Sequence, residues 1–198
     1  MDKQFKLFQA MKLLLLCACQ VVAFISFAAE NLSKNNVTVI VHKDGNAFHI
    51  EASYPTRLNA CNAFAFITDY EDAKNIPGIM ESKVISRTDN KVIVERQVKE
   101  TILLFPLEIS STIQYTELPL LGLNFEQIRG DNKIYKGTWR LASNGDATTF
   151  TYKSLLELNS VVPNHILEYF VRHSIKKRFE SMVARAALKE NTNSPKCH

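Results

Sequence analysis

Apolar and polar positions alternate with a period of two over residues 37–42 and again over 47–54, on either side of Lys43-Asp44-Gly45-Asn46. That period buries one face of a strand, and Asp-Gly between two such runs predicts a hairpin. The pattern becomes helical over residues 60–69, where Ala63, Phe64, Phe66 and Ile67 share a side and Asn59 is placed to cap the N-terminus. A second short helix is predicted over residues 71–75, ended by Ile76-Pro77-Gly78, a turn by its chemistry. Strands follow in series over 80–87, 91–105, 107–117, 121–129, 134–142 and 147–158, with turn residues at Thr88-Asp89-Asn90, Pro119 and Asn144-Gly145. Gaps this short force antiparallel pairing, because a parallel pair needs a crossover of about a dozen residues or more. From Pro163 to about Lys189 the apolar residues recur at helical spacing, among them Ile166, Phe170, Phe179 and Val183. Pro163 suits the first turn, where its missing N–H costs nothing. A strand pair, two short helices, a run of strands and one long helix predict an α+β layer, with a curved antiparallel sheet against that helix.

The first 28 residues follow another rule. Lys3, Lys6 and Lys12 precede an apolar run over 13–28 that ends in Ser26-Phe27-Ala28, a small-x-small site. This predicts a secretory signal peptide over 1–28, a mature domain over 29–190, a disordered tail over 191–198 and a periplasmic product. A retained anchor is the alternative, but the run falls short of the roughly 20 residues that span a bilayer. Cys19 raises a lipoprotein reading, against which stands the apolar stretch over 21–27 that follows it; Met11 is an alternative start. The whole chain of 198 residues carries +4, and losing Lys3, Lys6, Lys12 and Asp2 leaves +2, too little for strong nucleic-acid electrostatics. Cys17 and Cys19 leave with the leader. Cys61 reads as a small buried hydrophobe and Cys197 lies in a polar tail, so no bridge is expected, although an oxidising compartment permits one.

Strand alternation also assigns the faces. Val92, Val94 and Val98 share a face with Arg96; Leu107, Ile109, Ile113 and Tyr115 share one with Ser111. Leu123 and Phe125 align with Gln127, Tyr135 and Trp139 align with Gly137, and Phe150, Tyr152 and Leu156 align with Ser154. The inner face is therefore aromatic with isolated polar groups. Arg96 stands out, since an unpaired guanidinium on a valine face costs several kcal/mol to bury. It meets a polar group of a ligand, or pairs with a carboxylate such as Glu126, or is turned outward by a bulge. The aromatics Tyr115, Phe125, Tyr135, Trp139, Phe150 and Tyr152, with Phe170 from the last helix, are core or clasp a flat, greasy ligand. Arg96, Ser111, Gln127 and Ser154 are the candidates for holding its polar end. Arg172, His173, Lys176, Lys177 and Arg178 form a basic helix face that is solvated or docks on an anionic membrane.

Five segments taken together resemble the START-like (SRPBCC) superfamily, in its polyketide cyclase/dehydrase and coenzyme Q-binding branch. They are Ile67-Thr68-Asp69-Tyr70-Glu71, Ile76-Pro77-Gly78-Ile79, Arg129-Gly130-Asp131, Tyr135-Lys136-Gly137-Thr138-Trp139-Arg140-Leu141 and the Pro163-initiated helix. The resemblance implies a helix-grip fold, in which the sheet wraps the C-terminal helix around an apolar cavity. It also implies binding of a lipid, quinone or other hydrophobic small molecule, usually without catalysis.

Motifs for other chemistry are missing from the sequence. The six glycines make no dinucleotide or phosphate loop, the five histidines never take H-E-x-x-H spacing, and there is no G-x-S-x-G elbow and no C-x-x-C. Asp69, Glu71 and Asp72 read as local capping. The expectation is an exported, monomeric carrier of a hydrophobic molecule without cofactor or metal. The alternatives are a polyketide cyclase-like enzyme and a surface-interaction module using the basic helix.

Overall fold

The computed structural model describes residues 37–102, 105–160 and 162–190; the expected leader and tail lie outside them. Eight strands form one antiparallel sheet: β1 (Thr38–Asp44), β2 (Ala47–Thr56), β3 (Ile79–Thr88), β4 (Lys91–Ile102), β5 (Phe105–Leu118), β6 (Gly122–Gly130), β7 (Ile134–Asn144) and β8 (Ala147–Glu157). Their order is β1-β2-β8-β7-β6-β5-β4-β3. The strands from β3 to β8 thus run as a meander, and the N-terminal hairpin joins it beside β8. Helix α1 (Ala60–Thr68) and a 3-10 turn (Glu71–Asn75) fill the one long connection, and α2 (Asn164–Glu190) crosses the sheet and touches β1, β2 and β4. This is the helix-grip architecture. Among the described residues no helix is long and apolar enough to cross a membrane.

Local chemistry explains the boundaries. Gly45 takes φ +56° at the tip of the first hairpin, a conformation that costs glycine little. The Asn59 side chain accepts from the Asn62 N–H at 3.0 Å and starts α1. Pro163 sits just ahead of α2, and its carbonyl accepts from the N–H groups of Ile166 and Leu167. The strand expected over 91–105 ends at Ile102, and the next, expected from Leu107, already begins at Phe105. Register slips mark bulges in β3, at Ile79/Glu81 and Val84/Ser86, and between β5 and β6 at Thr112/Ile113.

Cys61 corrects an expectation. It lies half-buried on α1 and is disulfide-bonded, with its partner outside the described residues. Sequence spacing between distant cysteines carries no information on such a contact.

Gly137 shapes the inner face. It pairs with Phe125 on β6 and Ser154 on β8. A Cβ there would lie 2.2 Å from the Lys153 carbonyl oxygen and 2.7 Å from the Phe125 ring. The missing side chain is what lets that ring approach the strand so closely. Gly137→Ala is expected to lower unfolding free energy by about 1–3 kcal/mol, seen as a reduced thermal midpoint; an unchanged midpoint would refute the close-approach reading.

Candidate functional site

The concave face of the sheet and α2 do not meet everywhere, and a cavity of about 210 Å3 remains between them. Its walls come mainly from β4 to β8 and α2, with single residues of β2 and β3, and α1 and the 3-10 turn lie at one border. Cross-strand neighbours carry the aromatic wall: Phe125 packs on Tyr135 at 5.1 Å and on Tyr152 at 5.8 Å between ring centres, and Trp139 on Tyr152 at 4.9 Å. Such contacts hold the rings in place without filling the space before them.

Arg96 reaches into this space. The register sets it opposite Ser111 on β5 and Ser82 on β3. It is half-buried and enclosed by protein, so the surface it keeps faces the cavity. No ion pair among the described residues includes it. Glu126 is exposed on the other face of β6 and does not serve it. Instead Nε and Nη2 donate to Ser82 Oγ at 3.4 and 3.3 Å, long contacts. Burial pushes the guanidinium pKa down and the neighbouring Tyr115, Tyr135 and Tyr152 push it up, for a net rise; an arginine keeps its charge throughout the ordinary pH range. Burial likewise pushes the Tyr115 phenol up to about 12 and Tyr152 well above its ordinary value, so both remain protonated donors.

A second polar group is closed on itself. Ser111 Oγ donates to Gln127 Oε1 at 3.0 Å, and Asn132 Nδ2 donates to Ser111 Oγ at 3.1 Å and Gln127 Oε1 at 2.7 Å. Gln127 Nε2 completes the ring on the Asn132 carbonyl at 2.8 Å. Polar atoms paired in this way stabilise the end of β6 and have little left to offer a guest.

Of the residues singled out by strand phase, Arg96, Ser111, Tyr115, Phe125, Tyr135, Trp139 and Tyr152 line the cavity, as does Phe170 from α2. Gln127 stands behind Ser111. Phe150 stands outside the lining, fully buried, stacked on Tyr54 at 4.9 Å and capped edge-on by Phe66 of α1. Ser154 is buried beside Tyr152 and is likewise outside the lining. Residues from the helical junction had no periodicity to announce them. Tyr70 lines the cavity with its ring 4.5 Å from that of Tyr115, and its hydroxyl donates to Glu117 at 2.9 Å, which also binds Arg87. The Tyr70 carbonyl accepts from Ser82 Oγ at 2.6 Å.

Ion pairs border the cavity where α2 passes the 3-10 turn. Arg178 binds Glu100 at 3.0 Å and the Pro77 carbonyl at 3.1 Å, Arg185 binds Asp72, and Lys189 binds Asp69 at 3.2 Å. Positions 178, 185 and 189 share one helix face. Gly78 takes φ +81° directly under the first pair, where a Cβ would sit 2.1 Å from Glu100 Oε1. The acidic cluster read as local capping therefore also ties α2 down. The basic face is narrower than expected: Arg178 belongs to this border, and Arg172 pairs with Glu168 and donates to the Val41 carbonyl. His173, Lys176 and Lys177 are exposed.

A family model described as polyketide cyclase / dehydrase and lipid transport matches residues 58–183. None of the curated proteins matches the chain. Solved structures share its fold. A STAR-related lipid transfer protein from Xanthomonas axonopodis is 12% identical, with a TM-score of 0.64 over 77% of this chain and 94% of that one. A protein from Thermus thermophilus is 15% identical, with a TM-score of 0.61 over 73% and 99%. An aromatase/cyclase from a Streptomyces species is 12% identical, with a TM-score of 0.60 over 74% and 97%.

The Tyr54 hydroxyl is buried with no hydrogen-bond partner among the described residues, beside the cavity's aromatic wall. Tyr54→Phe removes that unpaired group and keeps the stack on Phe150. The expected outcome is a gain of about 1 kcal/mol, or a thermal midpoint about 2–4 °C higher. A lower midpoint would mean that the hydroxyl has a partner.

Proposed function

Since the chain belongs to the polyketide cyclase / dehydrase and lipid transport family, we propose that it is an exported carrier that holds one hydrophobic small molecule, a lipid or an isoprenoid compound such as a quinone. The observation that carries this is the cavity, an aromatic chamber of about 210 Å3 with an internal guanidinium that has no carboxylate partner among the described residues. Apolar cavities of about 150 Å3 already take up benzene. Burying ligand surface contributes about 25 cal/mol per Å2, less the cost of immobilising the guest.

Binding fits the lining better than proton transfer does. A general acid or base works best with a pKa near the working pH. The cavity tyrosines Tyr115 and Tyr152 move away from neutrality. The leader pattern supports export to the periplasm, and the bonded state of Cys61 suits an oxidising compartment. The exposed His173, Lys176 and Lys177 offer a weak, salt-sensitive contact with an anionic membrane during loading.

Two measurements check this reading. Native mass spectrometry of the protein purified from its own periplasm, followed by solvent extraction, is expected to show one bound hydrophobic molecule per chain. A ligand-free mass with no uptake from a panel of lipids and quinones would overturn the carrier. Thiol labelling of the same material is expected to modify Cys61 only after reduction, and labelling without reductant would remove the support for an oxidising compartment.

A further inference from the structure

Counting protons at the inner polar cluster shows what kind of atom it lacks. Arg96 has five N–H donors and no acceptor. Ser82 spends its own proton on the Tyr70 carbonyl at 2.6 Å, so its oxygen only receives from Arg96. The Tyr115 hydroxyl oxygen lies against the guanidinium, which turns its proton away from Arg96. The Tyr135 and Tyr152 hydroxyls lie beside each other, and a pair of phenols uses one proton between them and keeps one to offer. Ser111 and Asn132, the nearest amide and hydroxyl alternatives, are committed to Gln127 and to one another. Around Arg96 the cluster therefore presents donors from several directions, while the Ser154 hydroxyl, which has no hydrogen-bond partner among the described residues, is buried beside Tyr152 and outside the cavity lining. The cluster also carries one positive charge without a counter-charge among the described residues.

From this geometry we infer that the cavity takes its guest as a carboxylate, a monoanionic hydrophobic acid whose head is held by Arg96 and flanked by the Tyr115, Tyr135 and Tyr152 hydroxyls. The assignment rests on the carrier reading above. A carboxylate supplies only acceptors and one negative charge, so it answers both deficits at once. A neutral ester or alcohol of the same body leaves the guanidinium uncompensated. An alcohol also brings a donor into a cluster already full of them. A phosphate dianion would exceed the single positive charge, and among the described residues the other lining arginines, Arg178 and Arg185, are already paired at the border. The apolar remainder of the acid lies along Phe125, Trp139 and Phe170.

The test is calorimetric titration of the delipidated protein with dodecanoate, methyl dodecanoate and dodecanol, on wild type and on Arg96→Met, which keeps the length of the side chain without its charge. Wild type is expected to favour the acid over the ester by about 10- to 100-fold, the range for a charge-assisted hydrogen bond. Arg96→Met is expected to lose that preference, bind the ester within about threefold of wild type, and unfold at no lower temperature than ligand-free wild type. Affinity for the acid should be flat between about pH 6 and pH 9, where the acid stays ionised, and fall as the acid protonates. Equal affinity for acid and ester in wild type would overturn the carboxylate site and leave the carrier intact. No heat with any of the three, together with no uptake from the lipid and quinone panel, would overturn both. A lowered midpoint in Arg96→Met with the acid preference retained would make Arg96 structural and overturn the assignment.

Discussion

A guanidinium enclosed by protein must be solvated, paired or neutralised, and it cannot be neutralised at any pH the protein meets. Arg96 is enclosed and has no ion-pair partner among the described residues, so the space in front of it has to hold something polar. That constraint explains why the chamber is not filled in. Closing the sheet tightly on α2 would strand the charge in a dry core. The bulky inner rings pack on each other across β6, β7 and β8, with Gly137 giving Phe125 room close to the strand. Cavity, aromatic wall and internal charge are one arrangement.

The border follows from the same geometry. Where α2 leaves the sheet and passes the 3-10 turn, apolar packing gives way to the pairs made by Arg178, Arg185 and Lys189. Each pair is partly exposed and holds weakly on its own. Together they fix the helix along one face, with the Pro77 carbonyl and the close approach at Gly78 adding geometry that charge alone does not supply. Arginine suits the first of these contacts, because its planar fork satisfies a carboxylate and a carbonyl at once.

Much of this was legible in the sequence, because side-chain phase in a strand depends on a period of two and little else. Arg96 on the face of Val92, Val94 and Val98 is readable from spacing, as are Tyr115, Tyr135, Trp139 and Tyr152. The order of elements and the five family segments led to the helix-grip fold by the same kind of local reasoning. What phase cannot give is position along the strand relative to the helices. Phe150 and Tyr152 share a face, yet α1 crosses over the first and leaves the second open. Tyr70, Asn132 and the Asp72–Arg185 contact come from turns and junctions, where no period operates and only the closed chain brings partners together. The bonded state of Cys61 was missed for the same reason.

The two edges of the sheet carry a further consequence. On β3 the bulges at Ile79/Glu81 and Val84/Ser86 break the even spacing of backbone donors and acceptors, and on β1 the Val41 carbonyl is occupied by Arg172 from α2. A foreign strand arriving at either edge meets a ladder whose rungs do not match its own. A carrier of the proposed kind would spend time with apolar surface uncovered. Irregular margins keep such molecules from zipping into one another and growing as a continuous ribbon.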